Sequence, residues 1–166
     1  EKHFLEMSHE IAAIEPVGKL VYCTEDAEVK AISEDVAVTV QRVGYGIPPH
    51  RIENGITVLE TSSADVPLKV FGKHNLQNLE GARHVCHLLG IGDQEFHAAI
   101  ADFQGAAKRL ERIGGNAQRV VFKDFAHSPS KLKATVQAVR EQFPGRRLIA
   151  CMELHTYSSL SEEFLD

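Results

Sequence analysis

Residues 69–78 read KVFGKHNLQN, and the hydrophobic period changes inside them. Up to Gly72 the run is apolar and reads as the end of a strand. From His74 onward Leu79, Ala82, Cys86 and Leu89 recur at spacings of three and four, which predicts an amphipathic helix closed by the GIG run at 90–92. His74, Asn75 and Asn78 stand together at the head of that helix. A helix start needs one capping side chain, so three polar residues there point toward a ligand.

Working outward toward the N-terminus, Phe4, Leu5, Ile11 and Ile14 fit a short helix over 2–14, and GKLVYC (18–23) reads as a buried strand. EDAEVKAI (25–32) reads as a short helix, and VAVTVQRVGYG (36–46), GITVLETS (55–62) and VPLKVFG (66–72) as strands paired locally across the turns GIPPH and ENG. Toward the C-terminus, DQEFHAAIADF (93–103) predicts a helix with Asp93 as N-cap and Phe96, Ala99, Ile100 and Phe103 inward. GAAKRLERIGGNAQ (105–118) reads as a connection, which divides the chain into residues 1–106 and 107–166. QRVVFKDF (118–125) is a predicted strand, and Ser128-Pro129 open a helix with Leu132, Val136, Val139 and Phe143 on one face. RRLIACMEL (146–154) is apolar enough for a strand covered on both faces. Strand, helix and strand at this spacing make a βαβ unit, so the predicted class is α/β.

Charged residues at 25% and hydrophobic ones at 43% fit a soluble globular chain, whose 166 residues suffice for one good core or two small ones. A net charge of -5 supplies no general attraction to nucleic acid or an anionic membrane, and neither is expected as a partner. The opening EKHFLEMSHE is polar and acidic, unlike a signal peptide, and no apolar run approaches the roughly 18 residues of a membrane span. Cys23, Cys86 and Cys151 lie far apart in apolar runs, which predicts reduced, packed thiols and a cytoplasmic location. No histidine pair has metal-ligand spacing beside a third ligand, so no metal site is expected. The chain starts at Glu1 and stops at Asp166 within a helical pattern, SLSEEFLD, so it is expected to be a piece of a larger protein.

Four groups of residues have chemistry to offer. Asn75 and Asn78 are one turn apart, and a side-chain amide matches the donor–acceptor edge of adenine, a contact worth about 1–3 kcal/mol in base discrimination; the competing reading is a helix cap with Asn78 solvated. Asp124 falls at the carboxyl end of a predicted strand, where open α/β sheets bind ligands and a carboxylate can accept from ribose hydroxyls. His127 lies beside a helix N-terminus, near any phosphate that the helix attracts; the competing reading is a tied-down turn and a surface histidine. Arg109, in the predicted connection, suits a phosphate by its forked guanidinium. His155, Thr156, Tyr157 and Ser158 follow the last predicted strand and can read a polar substrate. The chain contains no GxxxxGK[ST] phosphate-binding loop.

Taken in order, GKHNLQN, GAAKRLE and KDFAHSPSKL resemble motifs of the Mur ligase family, ATP-dependent amide-bond formers of peptidoglycan synthesis. The first is similar to a G-x-H-N-x-x-N segment that contacts adenine near the end of the family's central ATPase domain. The third is similar to the D-[FY]-x-H-x-P motif that opens its Rossmann-like C-terminal domain. The resemblance implies the C-terminal part of a central ATPase domain over 1–106, followed by the start of a C-terminal ligase domain over 107–166. It implies ATP contacts at His74, Asn75, Asn78, Arg109, Asp124 and His127, and substrate contacts at His155, Thr156, Tyr157 and Ser158. ATP and Mg²⁺ are the implied cofactors, with the P-loop, the metal ligands and a carbamylated lysine expected upstream, so this piece alone is expected to be inactive. In such ligases ATP phosphorylates the carboxylate of UDP-N-acetylmuramate, and an amine then displaces the phosphate.

Within the family, DFAHSP and KRLE look most like the murein peptide ligase branch, which attaches L-alanyl-γ-D-glutamyl-meso-diaminopimelate during cell-wall recycling. The alanine-adding relatives commonly carry P-H-R-Y-S-R where this chain has Leu154 to Ser159, so Thr156 and Ser159 replace two arginines. Ser128 stands where many relatives have a second histidine. The alternatives are an alanine-adding ligase and a non-catalytic nucleotide-binding module of the same fold.

Overall fold

The computed structural model describes residues 18–37 and 39–153. The helix expected over 2–14, the end of the last predicted strand and the residues His155 to Ser158 lie outside them. The described chain is mixed α/β and forms two compact units, residues up to 48 with 76–96, and residues 49–75 with the chain from 97 onward.

In the first unit β1 (Lys19–Cys23) pairs in parallel with β2 (Gln41–Tyr45), and α1 (Ala27–Glu34) makes the crossover. The Asp26 carboxylate caps α1 by accepting from the amides of Glu28 and Val29 at 3.0 Å. The strand expected over 36–46 is therefore shorter, and its partner is an earlier strand rather than the next one. A helix between two strands makes the parallel pairing reachable. Helix α2 (Lys73–Leu88) begins in the second unit and continues into the first. Its buried positions are Leu76, Leu79 and Gly81, whereas Ala82 is exposed, Cys86 half-buried and Leu89 exposed, which corrects the predicted apolar stripe. The reason is close approach: a β carbon on Gly81 would lie 2.8 Å from the Tyr45 ring, so the face that packs is the one with the smallest residue.

Helix α3 (Asp93–Asp102) follows. Asp93 is inside it rather than its cap; the Phe96 amide donates to Gly92 O, and the Asp93 carboxylate instead takes Arg83 at 3.0 Å and His87 at 2.8 Å. Phe96 is buried as predicted, Ile100 is half-buried, and Ala99 and Phe103 are exposed.

The second unit opens with an antiparallel meander, β3 (His50–Glu53), β4 (Ile56–Leu59) and β5 (Val66–Leu68). Strand β3 is absent from the sequence reading, which took both flanking segments as turns. Asn54 (φ 53°) and Gly55 (φ 77°) form its two-residue turn to β4, a geometry that asparagine and glycine tolerate. Thr57, Val58 and Leu59 are all buried, as befits the central strand. Past α3 the segment read as a connection contains β6 (Glu111–Gly115), antiparallel to β7 (Val120–Lys123) with an irregularity between Arg112 and Gly114. Gly114 and Gly115 weaken a strand on their own, so only the pairing with β7 reveals it. Helix α4 (Pro129–Gln142) starts with Ser128 as N-cap and Pro129 in its first turn.

Residues 147–153 form no strand, and Ile149 is 71% exposed, so the predicted βαβ unit lacks its closing strand among the described residues. Apolarity specifies burial but names no partner edge, and β7 is paired with β6. Cys151 is exposed rather than packed, and Cys23 and Cys86 are half-buried free thiols. Among the described residues no helix is long and apolar enough to cross a membrane.

The core of this unit joins Phe71, Leu110 and Ala138, with Phe122, Val139 and Phe143 packed against them. The rings of Phe71 and Phe122 meet edge-on at 5.2 Å, and those of Phe71 and Phe143 at 5.9 Å. Truncating Phe71, which is 6% exposed, is expected to be severe. Phe71→Ala should lower the unfolding free energy by about 3–5 kcal/mol, read as a lower urea midpoint with an unchanged slope.

Candidate functional site

The turn into α2 is built from Phe71, Gly72 and Asn75. Gly72 has φ +88°, and a β carbon there would sit 2.7 Å from Ala138 Cβ, so both conformation and space demand glycine. The Asn75 amide donates to Gly72 O at 3.0 Å, and its Nδ2 donates to Phe71 O at 2.8 Å. Asn75 is thus a local brace, but its Oδ1 and its second N–H hydrogen are not used in that bond. Asn78 is exposed.

His74 is half-buried. Burial holds its pKa below the usual histidine value; the Asp124 charge pulls it up and the Arg109 charge pushes it down. Both charged groups therefore act on this imidazole, and the second unit holds His74, Asn75, Arg109, Asp124 and His127 of the residues singled out from sequence.

Asp124 lies just beyond β7. Its Oδ2 accepts from the Leu110 amide at 2.7 Å, and its Oδ1 accepts from Thr135 Oγ1 at 3.3 Å. The Phe125 amide donates to Lys108 O at 2.9 Å, which ties the 106–110 loop to the end of β7. Lys108 and Leu110 hold φ of 59° and 48°, left-handed values uncommon for such residues. Arg109 stands between them and is exposed. His127 Nδ1 donates to Phe125 O at 3.0 Å, which leaves Nε2 as acceptor for Lys131 Nζ at 3.3 Å.

Asp124 and His127 also line a cavity of about 1270 Å³ whose apolar walls include Phe122, Leu132, Val136 and Ile149. His74, Asn75 and Arg109 are not among its lining residues. Sequence reading missed Thr135, which holds Asp124, and Gln142, a buried amide on the packing face of α4. The available signal was a polar residue on an otherwise apolar helical stripe. Among the described residues no three histidine, cysteine or acidic side chains gather as a metal site.

Asn75 keeps a donor and an acceptor for a base edge, Asp124 keeps lone pairs for hydroxyl donors, and Arg109 is exposed for a phosphate.

Residues 108–163 match the family model described as Mur ligase, glutamate ligase domain. The chain is 33% identical over 148 residues to the UDP-N-acetylmuramate–L-alanine ligase of Paracidovorax citrulli, covering 86% of this chain and 30% of that protein. It is 32% identical over 167 residues to the ligase of the same name from Burkholderia ambifaria, covering 90% of this chain and 36% of that one. The chain thus spans about a third of the length of the curated relatives it matches.

Among solved structures, a UDP-N-acetylmuramoylalanyl-D-glutamyl-2,6-diaminopimelate–D-alanyl-D-alanyl ligase from Acinetobacter baumannii superposes with a TM-score of 0.63 at 22% identity, over 82% of this chain and 32% of that one. The UDP-N-acetylmuramate–alanine ligase of Thermotoga maritima gives 0.61 at 18% identity, over 86% and 34%. At these identities the likeness establishes the fold, and the α/β expectation holds.

Because the folded chain takes up a proton at His74 less readily than the unfolded one, this residue contributes nothing at high pH and destabilises as pH falls below about 6.5. NMR titration should place His74 below that ordinary value. Asp124→Ala should lower it further, and Arg109→Ala should raise it.

Proposed function

The chain belongs to the Mur ligase family through its C-terminal domain, and from that premise we propose that the complete protein is an ATP-dependent ligase of peptidoglycan synthesis that forms an amide on UDP-N-acetylmuramate. This chain supplies the base and ribose walls of the nucleotide site, with residues 1–106 as part of the central domain and 107–166 as part of the ligase domain. The carrying observation is that Asp124, held by Leu110 and Thr135, and Arg109 both act by their charges on His74 within one compact unit.

Each residue has a physical task in this reading. Asn75, and Asn78 on the same helix, address the base. Asp124, fixed by Leu110 and Thr135, presents lone pairs to the ribose hydroxyls. A neutral His74 leaves Arg109 as the cation that meets phosphate, with His127 beside the α4 N-terminus. ATP supplies the phosphoryl group that activates a carboxylate; the Mg²⁺ ligands belong to other parts of the parent protein. The 166 residues alone do not catalyse, and the parent works in the cytoplasm.

The amino substrate in this reading is L-alanine, because the curated relatives described above are named for it. That puts the alanine-adding alternative ahead of the tripeptide-adding branch to which DFAHSP and KRLE first pointed. The tripeptide remains the second reading on one observation: Thr156 and Ser159 occupy positions where alanine-adding relatives commonly carry arginine. Two guanidiniums fewer beside an amino-acid carboxylate change the pocket. His155, Thr156, Tyr157 and Ser158 are the residues that read this substrate.

Phosphate release by the complete protein, given ATP, UDP-N-acetylmuramate and either L-alanine or tripeptide, is expected to favour L-alanine. A preference for tripeptide would restore the recycling branch, and no release with either would remove the ligase reading. In the same assay Asp124→Ala should raise the KM for ATP about tenfold, the loss of roughly one charge-assisted hydrogen bond; an unchanged KM would remove Asp124 from the nucleotide site.

A further inference from the structure

Gln142 is only 2% exposed, and both ends of its amide are used. Thr57 Oγ1 donates to Oε1 at 2.8 Å, and Nε2 donates to Gly55 O at 2.7 Å, contacts that span 85 and 87 residues of chain. Thr57 is itself 1% exposed. Filling volume does not require this arrangement, because a methionine occupies similar space without two directional bonds. A buried amide satisfied on both sides selects one register, since any slide or rotation of the helix breaks both bonds at once.

The same face of α4 touches the candidate site. Thr135, Ala138 and Gln142 are spaced i, i+3 and i+7, so they form one stripe along the helix. Thr135 donates to Asp124 Oδ1, Ala138 packs on Gly72, and Glu141 beside the stripe pairs with Lys73 at 3.7 Å. A rotation of α4 at Gln142 therefore displaces Thr135 and Ala138 with it, and with them Asp124 and the Gly72–Asn75 turn.

We infer that Gln142 is a positioning residue: by locking α4 to the β3–β4 turn it holds Asp124 and the Gly72–Asn75 turn in a single nucleotide-facing arrangement. This rests on the nucleotide site proposed above. Gln142 touches no substrate and acts only through Thr135 and Ala138.

The test uses the complete protein with Gln142→Met, Thr57→Val and Thr57→Ser. Gln142→Met and Thr57→Val should each weaken ATP binding, by at least about fivefold in Kd, and leave the Kd for UDP-N-acetylmuramate unchanged. The double variant should be no worse than either single one, and Thr57→Ser, which keeps the hydroxyl, should bind ATP as the parent does. Hydrogen exchange should show the Leu110 and Asn75 amides losing protection in both damaging variants while the β6–β7 amides keep theirs. Unchanged ATP affinity and protection would overturn the inference, as would equal losses for both substrates. If Gln142→Met does not fold, Thr57→Val decides by the same readouts. If the parent binds no nucleotide, the functional reading fails, and exchange at Leu110 and Asn75 alone decides the positioning role.

Discussion

The contact of Gly72 with Ala138 governs the second unit. With 2.7 Å between a built β carbon and the alanine methyl, α4 lies against the backbone of the turn that starts α2. Phe71, one residue earlier, then has nowhere to go except into the aromatic group of Phe122 and Phe143. A core this closely packed transmits displacement rather than absorbing it. The polar residues that follow, His74 and Asn75, are held at its edge as a consequence.

From that packing the electrostatics follow. Asp124 is bonded to Leu110 N–H and Thr135, so its carboxylate has little freedom to rotate, and its charge acts on His74 from a fixed position. The 106–110 loop is fixed by the same carboxylate and by the Phe125 amide, which offsets the left-handed backbone at Lys108 and Leu110. Strain of this kind, about 1–3 kcal/mol per residue, persists only where neighbours over-determine it, and here it places Arg109. The compact unit therefore does not follow chain order: residues 49–75 share it with 97 onward, while most of α2 lies elsewhere.

Much of this was legible because period and punctuation are local. Strand β1, helices α1, α2, α3 and α4 and the Ser128-Pro129 start all follow from short patterns. What failed needed a partner to define it. Strand β6 looks like a loop until β7 lies beside it, and Leu148 to Met152 look like a strand although no edge among the described residues receives them. The face of α2 was misjudged because apolarity was counted and Gly81 was not, yet a glycine against a tyrosine ring decided the packing. Of the candidate site, the motif residues around Gly72 and Asp124 could be named from sequence, whereas the bonds that fix Asp124 to Leu110 and Thr135 could not.

The residues missed by sequence reading share one property. Thr135 and Gln142 are polar, lie on a stripe that is otherwise apolar, and spend their hydrogen bonds inside the protein. A hydrophobic pattern treats such residues as errors in the helix. Physically they are where an apolar interface, which tolerates small slips, becomes one with a single register. The proposed nucleotide wall, assembled from distant segments, needs that uniqueness more than it needs additional buried area. In this chain a glycine that cannot carry a β carbon and a glutamine that cannot move without losing two bonds determine where the neighbouring functional groups stand.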